Sequence, residues 1–126
     1  MGYRLNPADK ARRAAERAAL VNPYKPGDIV YRTWGYEQTN ADFYRVVATT
    51  PKAVRIEPLR AIETEHRPFA MSGHAVPDLE APPTGPAQLK RLVVGRDGTG
   101  EAAVRIDSYS SAIRWHGRPV GISWYA

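Results

Sequence analysis

Tyr36, Glu37, Gln38, Thr39 and Asn40 stand in a row, side chains rich in hydrogen-bonding groups with little reason to be buried. Trp34 precedes them, and Tyr44 and Arg45 follow closely. Amides and hydroxyls presented on a loop can recognise a base edge, a sugar or a peptide backbone, and an aromatic ring beside them can stack. Trp34, Tyr36, Glu37, Gln38, Thr39, Asn40, Tyr44 and Arg45 therefore form the candidate binding set. The competing reading is structural: Thr39, Asn40 and Asp42 satisfy nearby backbone groups in an Asx-type turn. A second set is cationic. Arg12, Arg13 and Arg17 of the N-terminal arm, with Arg32 and Arg55, are candidate contacts to nucleic acid.

The chemistry that is absent narrows the field. The chain has no cysteine, which excludes disulfides, a thiolate zinc site and a cysteine nucleophile together. His66, His74 and His116 lack the spacing of a metal motif. Glu63, Glu65 and His66 near His74 are read as solvated loop side chains. No Gly-x-Ser-x-Gly elbow occurs, and Gly95 to Gly100 lacks the Gly-Lys-Ser/Thr ending of a phosphate loop. No catalytic residue, metal ligand or cofactor is nominated, and the expectation is a protein without enzymatic activity. No apolar run approaches the roughly 18 residues of a membrane span, and no signal-peptide core opens the chain, so a cytoplasmic protein that does not contact membrane is expected.

Charge distribution is informative. The formal net charge of +5 invites a polyanionic partner. Residues 1–20 hold five cations and two anions, so most of the excess belongs to an N-terminal arm and the body is nearly balanced. Tyr31, Trp34, Tyr36, Phe43, Tyr44, Tyr109, Trp115, Trp124 and Tyr125 are more rings than one small core must hold. Interleaved with Arg32, Arg45, Arg55, Arg105 and Arg114, exposed rings suit single-stranded nucleic acid or a protein hot spot. A core with an ordinary amphipathic surface is the alternative.

The positioning elements follow from local pattern. Asn6 can cap a helix, Pro7 suits its first position and Asp9 places negative charge on its positive end. The alanine-rich run continues to Leu20, and Asn22-Pro23 ends it. A turn at Tyr24–Asp28 leads into a first strand in which Ile29, Tyr31 and Thr33 alternate with Val30, Arg32 and Trp34. Phe43–Thr49 and Lys52–Leu59 read as the next two strands, the latter with Val54 and Ile56 inward and Arg55 and Glu57 outward. A polar loop, residues 35–42, joins the first pair. Five prolines between Arg67 and Pro86 make residues 61–87 a long loop, with Phe69 and Met71 pinning its first half and Glu80–Ala87 as exposed linker. Gln88–Val94 and Glu101–Asp107 flank an Asp-Gly hairpin, with Val104 and Ile106 inward. Ala112–Trp115 and Pro119–Tyr125 read as a last hairpin, with Trp124 in the core.

Trp34-Gly35-Tyr36-Glu37-Gln38-Thr39-Asn40, followed by Phe43-Tyr44-Arg45-Val46, resembles a group of small uncharacterised proteins of bacteriophages and other mobile elements. Met71-Ser72-Gly73, Ser108-Tyr109, Trp115-His116-Gly117-Arg118-Pro119 and Ser123-Trp124-Tyr125-Ala126 are similar to that group as well. His116 departs from the acidic residue of that pattern, and the alanine-rich helix lies outside it. The resemblance implies a phage or plasmid accessory protein and carries no activity with it.

The expected fold is mainly β: a small antiparallel SH3-like barrel or bent sheet, with one N-terminal α-helix and a long proline-rich loop. Residues 1–22 form a basic helical arm and 23–126 a single domain. The expected function is binding to nucleic acid through the arm and the aromatic-arginine surface. The alternative is docking on a host or phage protein through the 35–42 loop.

Overall fold

A computed structural model describes residues 6–35, 38–65, 71–95 and 99–123. Its helix α1 (Pro7–Ala19) starts as the sequence requires, with the Asn6 Oδ1 accepting from the Asp9 N–H at 2.8 Å. None of its residues is buried. A short, all-exposed helix is marginal by itself, so what holds its end matters. Leu20 packs on the barrel core, and the Lys52 ammonium donates to the carbonyls of Arg17, Ala18 and Leu20. That lysine satisfies orphan carbonyls and meets the negative end of the helix dipole.

Among the described residues nine strands follow: β1 (Ile29–Trp34), β2 (Asn40–Thr49), β3 (Ala53–Leu59), β4 (Ala61–Glu65), β5 (Ser72–Pro77), β6 (Gln88–Val93), β7 (Ala103–Arg105), β8 (Ser111–Arg114) and β9 (Val120–Ser123). Six of them close an antiparallel barrel in the order β1-β2-β3-β6-β7-β8, and β8 returns to β1 through Val30↔Arg114 and Tyr31↔Ile113. The protein is thus mainly β, a small SH3-like barrel with one helix. Alternation sends Val30, Val46, Val54, Ile56, Leu92, Val104 and Ala112 into the interior, where all are buried. Arg55 and Glu57 face outward, as their phase requires. A bulge at Val47 bends β2 around the closing sheet.

The opposite face of β1 and β2 carries a second core. Ile29, Ala41, Phe43 and Leu59 pack against Ala75 and Ile122 of a three-stranded sheet, β4-β5-β9. The Phe43 ring meets Trp115 edge-on, with centroids 6.1 Å apart.

Three expectations are corrected here. Residues 61–87 are not loop throughout, because β4 and β5 pair as a hairpin from Ala61↔Pro77 to Glu65↔Gly73. The described prolines of this segment lie outside that ladder or at its end, where a missing donor is tolerated. Met71 is exposed rather than a pin, and buried Gly73, Ala75 and Pro77 anchor the segment instead. Next, β8 and β9 do not form a hairpin: β8 pairs with β1 and β7, whereas β9 pairs with β5. The two strands belong to different sheets. Third, β2 begins at Asn40, so Asn40, Ala41 and Asp42 are strand and not loop. Phe69, the Asp97-Gly98 turn and Trp124 lie outside the described residues. The strands flanking that turn do pair, through Leu92↔Val104 and Val93↔Ala103.

Gly73 shows how closely β4 approaches β5. A methyl group there would lie 2.0 Å from the Thr64 carbonyl oxygen, whereas one at Gly121 on neighbouring β9 would meet nothing within 4 Å. Gly73→Ala is expected to cost about 2 kcal/mol, and Gly121→Ala less than about 0.5 kcal/mol. Urea unfolding of both variants checks this; equal midpoints would contradict the close approach.

Candidate functional site

The described residues of the first set do not converge on one surface. Trp34, half exposed, ends β1 opposite Asn40, and Gln38 is exposed beside it. Thr39 is tied back: its N–H and carbonyl both bond to Ser123, each at 3.0 Å, and the Ser123 hydroxyl lies 3.1 Å from the same N–H. Gly35 permits the turn. Its φ of +128° and the 1.8 Å that would separate a Cβ from the Gln38 carbonyl exclude any side chain. The half-buried Asn40 has an Nδ2 with no partner among the described residues. Tyr36 and Glu37 lie outside the described residues. Tyr44 and Arg45 point away from this corner. Tyr44 shares the interior phase of β2, and Arg45 on the other face pairs with Glu57 at 3.4 Å and donates to the Leu79 carbonyl at 2.9 Å.

The cationic set divides by what each guanidinium already holds. Arg12 pairs with Asp9 one turn earlier on the helix. Arg55 is exposed on the outer face of β3. Arg32 is occupied: it reaches Asp42 at 3.1 Å, Asp107 at 2.9 Å and the Ser110 hydroxyl. Its burial opposes the charge, yet the hydrogen bonds it donates to Asp107 and Asp42, with the charges of Tyr44 and Asp42, outweigh this and raise its pKa. Arg114, at the other end of the barrel, is also committed. It binds both oxygens of Glu101, reaches Asp28 at 3.0 Å and lies 5.0 Å from the Tyr24 ring centroid. These arginines brace the barrel, which removes Arg32 from the cations able to meet a ligand.

Of the others, Arg55 stands apart on β3, whereas Arg13 and Arg17 lie one helical turn apart on the same face of α1. They form one wall of a cleft of about 410 Å³ between the helix and the barrel. The facing wall carries Arg105 and the loop Asp107–Ser111, with Val93 and Val94 between. Tyr109 at that loop's tip is 87% exposed, the most exposed large apolar side chain described. Glu16 and Asp107 also line the cleft, but Asp107 is paired with Arg32 and the three arginines outnumber the two carboxylates, so cations remain in excess. Sequence reasoning proposed Arg13 and Arg17 for this role, and placed Arg105 and Tyr109 only in a general aromatic-arginine surface. Their meeting depends on how β7 and the following loop turn under the helix, which no local pattern encodes.

No family model, curated protein or solved structure matches the chain.

Asp107 orders the loop that faces the helix. Partial burial works to raise its pKa, but donation from the Ser110 hydroxyl, the Tyr109 and Ser110 N–H groups and Arg32 outweighs it and holds the carboxyl at about 2, against an ordinary 3.8. A depressed acid contributes stability above its unfolded pKa and loses it as pH falls through the folded value. Stability is therefore expected to decline from about pH 4 toward pH 2, and Asp107→Asn to flatten that decline. Urea midpoints across this range are the check; an identical acid decline in the variant would contradict the assignment. For the helix, Lys52→Met is expected to speed amide exchange over residues 7–19 while barrel amides keep their protection. Unchanged exchange in the helix would mean that Lys52 is not its anchor.

Proposed function

We propose that the protein is a non-enzymatic binding module of a phage or plasmid that acts on nucleic acid in the cytoplasm of a host cell. One observation carries this reading: a cleft with Arg13 and Arg17 on one wall, Arg105 on the other and an exposed Tyr109 at its lip. Guanidinium groups with no carboxylate partner among the described residues can neutralise phosphates, Arg105 being held by the Ser108 carbonyl at 3.2 Å, and an exposed aromatic ring offers a stacking surface beside them. The phage or plasmid setting rests on the resemblance of the Trp34–Asn40 heptapeptide.

Phosphate contacts make affinity fall with salt, with a slope of about −0.7 per contact on single strands and about −0.9 on duplex. Retention on single- and double-stranded DNA should therefore weaken steeply as salt rises. Arg13→Ala with Arg17→Ala should reduce the single-strand slope by about 1.4. No retention at low salt, or an unchanged slope in the double variant, would sink the proposal.

A second reading has its own observation. Half-exposed Trp34 and exposed Gln38 sit on a corner fixed to β9 by the paired Thr39–Ser123 bonds, a rigid mount for protein recognition. A host or phage protein lost from the purified complex on Trp34→Ala would favour it.

A further inference from the structure

The barrel has two unlike ends. One is plugged: Tyr24 is 4% exposed, its hydroxyl donates to the Ala102 carbonyl at 2.6 Å and Arg114 lies against its ring. The other opens into a recess of about 190 Å³. Interior-phase residues of four strands and their ends surround it: Tyr44 of β2, Ile56 and Pro58 of β3, Gln88 and Lys90 of β6, and Ile106 just after β7. Pro86 completes the wall. Nothing in the sequence reading singled out this cavity, because it exists only once the sheet has closed.

Its chemistry is specific. Ile56, Pro58, Pro86 and Ile106 give apolar surface, while Tyr44, Gln88 and Lys90 supply polar groups. Lys90 uses one N–H on the Ile106 carbonyl at 3.0 Å and has others to offer. Lys90 and the nearby Arg32 carry two positive charges against the two negative charges of Asp42 and Asp107, so the mouth has no strong anionic preference. The recess is below the roughly 300 Å³ expected for a drug-sized ligand. Apolar faces with donors and an amide at the edge suit one flat, uncharged heterocycle.

The mouth also adjoins the cationic cleft. Residues 106–110 form a single turn, in which the Ile106 and Asp107 N–H groups both donate to the Ser110 carbonyl. Ile106 lines the recess, and Asp107–Ser110 line the cleft. A strand whose phosphates lie along Arg13, Arg17 and Arg105 passes within one turn of the opening. We infer that the barrel mouth seats an unstacked base of a single strand whose backbone occupies the cleft, so that the protein selects single-stranded over duplex nucleic acid. This rests on the cleft being a nucleic-acid site. Paired, stacked bases are not available to such a pocket.

Fluorescence anisotropy on the full chain tests it, using a short labelled single strand, its abasic counterpart of equal length and the matching duplex. The base-bearing single strand should bind about ten-fold tighter than the abasic one. Gln88→Leu, a change at an exposed position that keeps bulk and removes hydrogen bonding, should shrink that preference several-fold without changing the salt slope. Independently of any variant, Ile56 and Ile106 methyl resonances should move under the base's ring current with the intact strand alone. Equal, salt-dependent affinity for intact and abasic strands, or duplex binding as tight as single-strand binding, overturns the base seat and leaves the cleft in place. Failure of every strand to bind at low salt overturns both.

Discussion

Closure of β8 onto β1 is the constraint from which the rest follows. Once Val30 lies opposite both Tyr44 and Arg114, every second residue of six strands must point into one narrow interior. Small and branched side chains fill the middle. The same phase carries Arg32 and Arg114 toward opposite ends, where a bare guanidinium would be costly. Each is met by two carboxylates, Asp42 and Asp107 for one, Asp28 and Glu101 for the other. The barrel's charge pattern is therefore largely structural, and half-buried pairs of this kind hold register as much as they add stability.

That division decides what is left to act. With Arg32, Arg45 and Arg114 engaged, three exposed cations, Arg13, Arg17 and Arg105, meet where α1 overhangs the β7–β8 turn, while others such as Arg55, Arg91 and Arg118 are dispersed over the surface. The helix contributes almost no buried area, and its attachment at Leu20 and Lys52 sets the width of the cleft from one end. The second sheet serves the opposite side. It covers Ile29, Ala41 and Phe43 and carries a recess of its own, of about 340 Å³, lined by Ile62, Thr64, His74, Val76 and Pro119, apart from the barrel mouth and the helix side.

Much of the fold was legible. Asn6, Pro7 and Asp9 announced the helix, the alternation in Ile29–Trp34 separated its two faces, and that in Val54–Glu57 placed Val54 and Ile56 inward, because each signal is local and has one physical cause. The errors were non-local. The proline count between Arg67 and Pro86 obscured β4 and β5, although Gly73 and Ala75 mark a closely packed strand. A short separation suggested that β8 and β9 pair, whereas each found its partner elsewhere along the chain. The role of Arg32 could not be read either: its place on the same face as Val30 was visible, but Asp107 is far away in sequence and only closure brings them together. Arg13 and Arg17 were recognisable from charge, while the wall they face was not.

The most direct test of this partition observes the arginine side chains themselves. Nitrogen-15 spectra of the guanidinium Nε–H groups during titration with a single-stranded oligonucleotide should show Arg13, Arg17 and Arg105 moving together. Arg32 and Arg114 should keep their positions because their partners are internal. Movement of Arg32 and Arg114 with a silent Arg13–Arg17 pair would contradict the account, for the bracing cations would then be the ones that meet the ligand.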